Sequence, residues 1–357
     1  MRISSRIENL RLQLSDHDID GMFISMPENR RYLSGFTGSA GYLLISAFDA
    51  VLVTDFRYVE QGGQQAPDYR IHRTAYGSPW LADLASEMNL TRIGYESDDL
   101  TVATHSGFID DLAKGESDKL VELVPTTGIV ETMRAVKDDT ERELLERAIA
   151  IADQALGNVA SAIEPGMIEK RVAWDIEKAM RELGAESIAF DIIVGAGPNG
   201  ALPHHRADDT VIQMGDPVVI DMGATYQGYR SDLTRTFCVG PSDDRFREIY
   251  DTVLGAQAAA EEAVRPGMTG AEVDAVARDF IADAGFGEYF GHGLGHGVGL
   301  AVHERPRVVP KSGDVLENGM VFTIEPGIYI PGWGGVRIED IVSLENGRAK
   351  VLSQSPK

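Results

Sequence analysis

The sequence predicts an α+β protein of two domains, the smaller one first, and three observations carry that expectation. The 357 residues exceed what a single hydrophobic core ordinarily serves. The first third alternates short helical and extended patterns, as a small α/β module does. The rest contains an internal repeat in which helices and carboxylate-bearing hairpins recur in the same order. A boundary near Thr132 to Lys137 divides the chain into 1–132 and 133–357.

In the first module, Ile7, Leu10, Leu12 and Leu14 fit an amphipathic opening helix, and Gly21 to Ser25 reads as a buried strand. Tyr42 to Ser46 and Ala50 to Thr54 flank a short turn and predict a hairpin. Trp80 to Met88 reads as helix, Arg92 to Tyr95 as extended and His105 to Ala113 as helix. Its histidines, His17, His72 and His105, are scattered and form no ligand cluster. Arg30, Arg31 and Arg57 are solvated charges by default and substrate contacts if the module overhangs a site.

The second domain opens on a long helix announced by acidic capping residues from Asp138 onward. The repeat then begins. Helical runs end at Pro165-Gly166-Met167 and at Pro266-Gly267-Met268, and each is followed by another helix, Glu169 to Leu183 and Ala271 to Ala284. Aromatic-bearing extended segments follow at Phe190 and Phe290. Val218 to Gly223, carrying Asp221, is matched by Phe322 to Gly327, carrying Glu325. Gly228 to Asp232 is matched by Gly335 to Glu339, with Arg230 and Arg337 each two residues ahead of an acid. The duplication places acids on equivalent strands about a pseudo-twofold axis.

Asp221 and Glu325 each end an apolar strand, where an isolated charge costs several kcal/mol unless it is paired or bound to a cation. The hairpins fold Asp232 and Glu339 back beside them, and four converging carboxylates repel one another strongly without a cation. His296 lies in Gly291 to Gly299, where five glycines alternate with other residues. Five glycines in one strand imply backbone passing close to something. His296 and the four acids form a set suited to two hard or borderline divalent ions, roughly 3.5–4 Å apart in two-metal hydrolases. Oxygen-rich ligation favours manganese or cobalt, with zinc or iron as alternatives.

Gly195 to Gly200 formally fits G-x-G-x-x-G, but Pro198 interrupts it and no helix opens on its last glycine. It reads instead as a glycine-rich loop delivering His204 and His205; His205 is left without a role. The balance of 33 basic against 56 acidic residues, −23, argues against nucleic acid and anionic membranes as partners. One cysteine, Cys238, excludes an internal disulfide and suits a reducing compartment. With no signal-like or membrane-length apolar run, the expected location is cytoplasmic.

Leu202-Pro203-His204, Ile220 to Gly223, Ser231 to Thr236, Gly295 to Gly299, Ile324 to Gly327 and Gly335 to Glu339 together resemble the motifs of the Xaa-Pro peptidases. That family comprises prolidase and aminopeptidase P and has the pita-bread metallopeptidase fold. Tyr32 to Gly41 and Thr54 to Tyr58 resemble the creatinase/prolidase N-terminal domain. The resemblance implies that Asp221 and Asp232 hold one metal and His296 the other, with Asp232, Glu325 and Glu339 bridging or completing both. It implies that the ions activate a water, that Glu325 assists proton transfer and that His204 bonds the developing tetrahedral oxygen. His303 contacts substrate beyond the cleaved bond, His292 borders the proline pocket, and Arg337 pairs with a carboxylate or steadies the ligands. The implied substrate is a peptide with proline second, whose tertiary amide lacks the N–H that other proteases align. The implied assembly is a homodimer.

Dipeptidase and aminopeptidase remain alternatives, with the lean to dipeptidase and Arg337 or an N-domain arginine as the carboxylate contact. Creatinase and non-catalytic relatives predict missing acids, contrary to this sequence. Methionine aminopeptidase shares the ligand set but lacks the first module.

Overall fold

The computed structural model describes residues 2–75, 78–114 and 120–357. The chain divides into two compact units, Met1–Arg134 and Ala135–Lys357. The first is built on a six-stranded mixed sheet in the order Arg70–Arg73, Ala50–Thr54, Tyr42–Ser46, Gly21–Ile24, Arg92–Glu96, Glu122–Thr126. The hairpin of Tyr42–Ser46 and Ala50–Thr54 pairs antiparallel, and Gly21–Ile24 joins it to the parallel pair Arg92–Glu96 and Glu122–Thr126. Helices Trp80–Glu87 and Val102–Lys114 cover one face. There Phe23, Tyr42, Trp80 and Phe108 pack ring against ring with centroids 5.1–6.0 Å apart.

The second unit is two halves of one plan. The first half holds helices Asp139–Ala160 and Glu169–Glu182 against the antiparallel sheet Leu233–Cys238, Pro217–Met222, Ile193–Ala196. The second holds helices Asp244–Ala263 and Gly270–Asp283 against the sheet Glu304–Val308, Gly295–Gly297, Val321–Ile324, Asp340–Glu345, Arg348–Val351. Each half has its own apolar core. Asp138 caps the long first helix in a capping box with Glu141, and Thr269 does the same with Glu272 for the last.

The duplication extends to single hydrogen bonds. Gly166 and Gly267, both in the left-handed region at φ 97° and 92°, donate their N–H to the Ile212 and Leu316 carbonyls at 2.9 and 2.8 Å. Ile212 and Leu316 in turn donate to the Met167 and Met268 carbonyls. Each Pro-Gly-Met turn thus anchors to the segment leading into its own carboxylate-bearing strand.

Three details differ from the sequence reading. The first half's strand begins at Ile193 rather than Phe190 and runs into the glycine motif, to Ala196, and the second half's is Gly295–Gly297 rather than a segment at Phe290. The rest of that motif, Gly197–Ala201, is a 3-10 turn, because Pro198 cannot donate to a strand partner.

Candidate active site

Strand register brings the acids together. Asp221 faces Thr234 across the first hairpin, and Ile324 faces Asp340 across the second. Asp232 and Glu325 thus lie one residue outside a pairing that their partners help to close. His296 lies in Gly295–Gly297, an inner strand of the second sheet held between Glu304–Val308 and Val321–Ile324, whose backbone is hemmed on both sides. A Cβ on Gly295 would lie 2.0 Å from the Thr323 carbonyl oxygen, and one on Gly297 2.0 Å from that of Arg305. Only glycine lets the strand come this close.

His296 Nε2 lies 3.2 Å from Glu325 Oε1 and 3.7 Å from Asp232 Oδ2. Ligand atoms of Asp232, His296 and Glu339 all fall within 4.8 Å of one another. Arg337 donates to Asp221 Oδ2 at 2.6 Å, to the Tyr329 hydroxyl at 2.9 Å and to Thr234 Oγ1 at 3.1 Å. It is 3% exposed, and all three guanidinium nitrogens are engaged inside the protein. Thr234 donates to Glu339 Oε2 at 2.8 Å, and Thr323 to Glu325 Oε1 at 3.3 Å.

The four acids, His296, Tyr329 and Arg337 line an open cavity of about 540 Å³. His204, His292, His303, Phe190, Ile193, Arg206 and Arg307 complete its wall. His303 packs edge-on to His296, ring centres 4.2 Å apart. His292 bonds the Gly293 carbonyl through Nδ1 at 2.7 Å and the Tyr329 hydroxyl through Nε2 at 2.8 Å. His205, on the same loop as His204, is held by Glu169 at 2.6 Å. Glu169 also accepts from the Ala196 and Asp208 N–H groups and from Asn199, so His205 serves to tie the loop down.

Three engaged residues escaped the sequence reading: Tyr329, Thr234 and Thr323. Each threonine stands two residues from an acid that lies one residue beyond the end of its strand, hence on the same face where the extended backbone continues, and that spacing was the available signal. Tyr329 had no comparable mark in the sequence: only in the fold does its hydroxyl lie where a Cβ on Gly327 would come within 2.5 Å. Of the first unit's arginines, Arg30 donates to the Gly41 and Gly38 carbonyls and Arg57 pairs with Asp55.

The electrostatics show what the cluster lacks. Burial, then the neighbouring carboxylates, pushes Asp232 and Glu339 well above the usual carboxylate range. Burial also raises Asp221, despite Arg337. Burial acts likewise on Glu325, but its bond to His296 and the positive charges of His296, His292 and Arg337 together outweigh it and hold the group low. The buried Asp221 Oδ1 has no hydrogen-bond partner, an acceptor left for something other than the protein. A one-imidazole, four-carboxylate donor set with an open acceptor fits hard or borderline divalent ions.

Two helix-and-sheet halves that face one cavity, each contributing a carboxylate pair, define the pita-bread class of metallohydrolase. Residues 143–346 match metallopeptidase family M24 and residues 6–136 match the creatinase/prolidase N-terminal domain. The chain is 44% identical to the Xaa-Pro dipeptidase structure from Bacillus anthracis, with a TM-score of 0.95 over 100% of this chain and 99% of that one. It is 38% identical to the Xaa-Pro dipeptidase of Pyrococcus horikoshii over 96% of this chain and 95% of the relative. It is 37% identical to the X-Pro aminopeptidase structure from Thermotoga maritima, with a TM-score of 0.89 and 98% of both chains covered. The chain belongs to metallopeptidase family M24, and it is a metal-dependent peptidase.

Proposed function

We propose that this enzyme is an Xaa-Pro peptidase that works on a pair of divalent ions and prefers dipeptides. The observation that carries the reading is the cavity in which His296, Asp221, Asp232, Glu325 and Glu339 converge. Asp221, Asp232 and Glu339 with His296 and Glu325 hold the ions, manganese or cobalt by donor type. When bound, the ions lower the pKa of a water and polarise the scissile carbonyl. Glu325, kept ionised beside His296, is placed to take the attacking water's proton. His204 donates to the oxygen on which charge develops. His303, pushed down to about 4 by burial and by His296, is neutral at working pH and contacts the substrate beyond the cleaved bond. Arg337 steadies Asp221, and His292, braced by Tyr329, borders the proline ring. The assignment of 1–132 and 133–357 as the two functional domains, a homodimeric assembly and a cytoplasmic location belong to the same reading.

The dipeptidase preference is supported by Arg307. Its guanidinium borders the cavity beside His303 and has no ion-pair partner among the described residues, which leaves it for the carboxylate of an Xaa-Pro dipeptide. A longer peptide places no carboxylate there, and the resemblance to the Thermotoga aminopeptidase keeps that second reading in view. Hydrolysis of Ala-Pro and Ala-Pro-Ala decides between them: kcat/KM is expected to favour Ala-Pro, and Arg307→Met to lower it for Ala-Pro alone, roughly tenfold or more for a lost charge-assisted contact. Faster cleavage of the tripeptide refutes the dipeptidase preference, and activity that survives metal chelation refutes the two-metal centre.

A further inference from the structure

A second buried ionic cluster lies on the opposite side of the ligand strands. Side chains alternate along a strand, so where Thr234 and Glu339 meet on the cavity side, Arg235 and Asp340 meet behind it. Arg235 is 1% exposed and Asp340 fully buried. The guanidinium donates to Asp340 Oδ1 at 2.7 Å, to the Glu339 carbonyl at 2.5 Å and to the Ser355 and Pro356 carbonyls at 2.7 and 3.0 Å. Asp340 Oδ2 receives Lys357 Nζ at 2.5 Å and the buried amide of Gln257 at 3.3 Å. Gln257 also donates to the Ile324 carbonyl at 3.1 Å.

The hub therefore reaches three ligand positions through the chain itself. Arg235 follows Asp232 by three residues, Asp340 follows Glu339 directly, and Ile324 immediately precedes Glu325. Gln257 Oε1 is buried without a partner; flipping the amide would turn an oxygen toward the Ile324 carbonyl and Asp340, so the hub dictates its orientation. A buried ion cluster is a poor source of net stability compared with apolar packing, and this one lies where it can fix the separation of two hairpins.

We propose that Arg235, Asp340, Gln257 and Lys357 form a positioning hub that sets the spacing of Asp232, Glu325 and Glu339 and thereby governs how tightly the divalent ions are held. The proposal rests on the reading of those three acids as ligands. Its sign separates it from simple electrostatics: removing the Lys357 charge near an acidic site favours cation binding by Coulomb attraction alone, whereas loss of positioning weakens it.

The test is calorimetric titration of chelated full-length protein with Mn2+, alongside thermal unfolding of the chelated forms. Lys357→Met, on a side chain 26% exposed, is expected to weaken Mn2+ binding roughly tenfold, the lower end of the effect of outer-shell partners. The Mn2+ concentration giving half-maximal rate should rise by the same factor. Arg235→Lys keeps the charge but loses the fork of carbonyl bonds, and is expected to act in the same direction. Lys350→Met, the same change at a side chain 54% exposed, should leave binding unmoved. Unchanged or tighter binding by Lys357→Met overturns the proposal even if Arg235→Lys does not fold, as does an equal loss in Lys350→Met. Wild-type protein that takes up neither Mn2+ nor Co2+ overturns the ligand assignment itself, a separate result.

Discussion

Tyr329 is the residue on which two functions of the cavity wall meet. Its hydroxyl accepts from Arg337 and contacts His292 Nε2, so one oxygen links the guanidinium bonded to Asp221 to an imidazole of the cavity wall. With Nδ1–H of His292 donating to the Gly293 carbonyl, Nε2 is left as the acceptor of the Tyr329 proton. Burial pushes that hydroxyl up to about 12, so it stays a donor throughout the working range. Tyr329→Phe should remove the link without changing the ring's packing. A buried hydroxyl that leaves two partners unsatisfied costs about 1–3 kcal/mol, and kcat/KM for an Xaa-Pro dipeptide is expected to fall at least roughly tenfold. An unchanged kcat/KM would show that His292 and Arg337 act independently.

At the scale of elements, the glycine-rich strand and the end of a sheet in the first unit make opposite demands. Gly297 faces the Arg305 backbone, which cannot swing aside as a side chain does. Gly297→Ala is expected to destabilise the protein by the upper part of the roughly 1–3 kcal/mol seen for overpacking. Gly291, with nothing within 4 Å of an added Cβ, should accept alanine almost without effect. Denaturant midpoints of the two variants check this, and equal midpoints would refute the close-approach account. In the first unit Glu96 ends its strand buried, accepting from the Ser25 and Met26 N–H groups and from Asn29. Burial pushes its carboxyl up to about 7 from 4.5. A raised folded-state pKa means stability present in full below about pH 4.5 and lost progressively as pH rises through 7. Across that span the loss is about 3 kcal/mol. Glu96→Gln should flatten the pH dependence of unfolding between these limits, and a slope that persists would assign it to another group.

For the whole molecule, the excess of acidic side chains sets a long-range preference. A net charge of −23 draws cationic substrates toward a cavity lined by carboxylates. The ratio of kcat/KM for Lys-Pro to that for Glu-Pro is therefore expected to fall as salt is raised from about 0.01 to 0.1 M, where the Debye length shrinks from about 30 to 10 Å. A ratio independent of salt would place the discrimination in direct contacts alone.

The two-unit α+β plan, the duplication and the order of the carboxylates are legible in the chain alone. These are written in local periodicity, in turn residues and in the repeat of Pro-Gly-Met, helix and acid, none of which needs a tertiary contact to be recognised. Only the tertiary structure decided the partners of the polar side chains. Arg337 reaches Asp221, and His205 reaches Glu169, because segments far apart in sequence were packed together, and the position of Arg307 at the cavity depends on the same packing. The buried ionic cluster of Arg235, Gln257, Asp340 and Lys357 was beyond sequence reasoning for the same reason, since its members are scattered over more than a hundred residues. Spacing along a chain orders side chains on one strand, but which strands meet is settled by the packing of both halves at once.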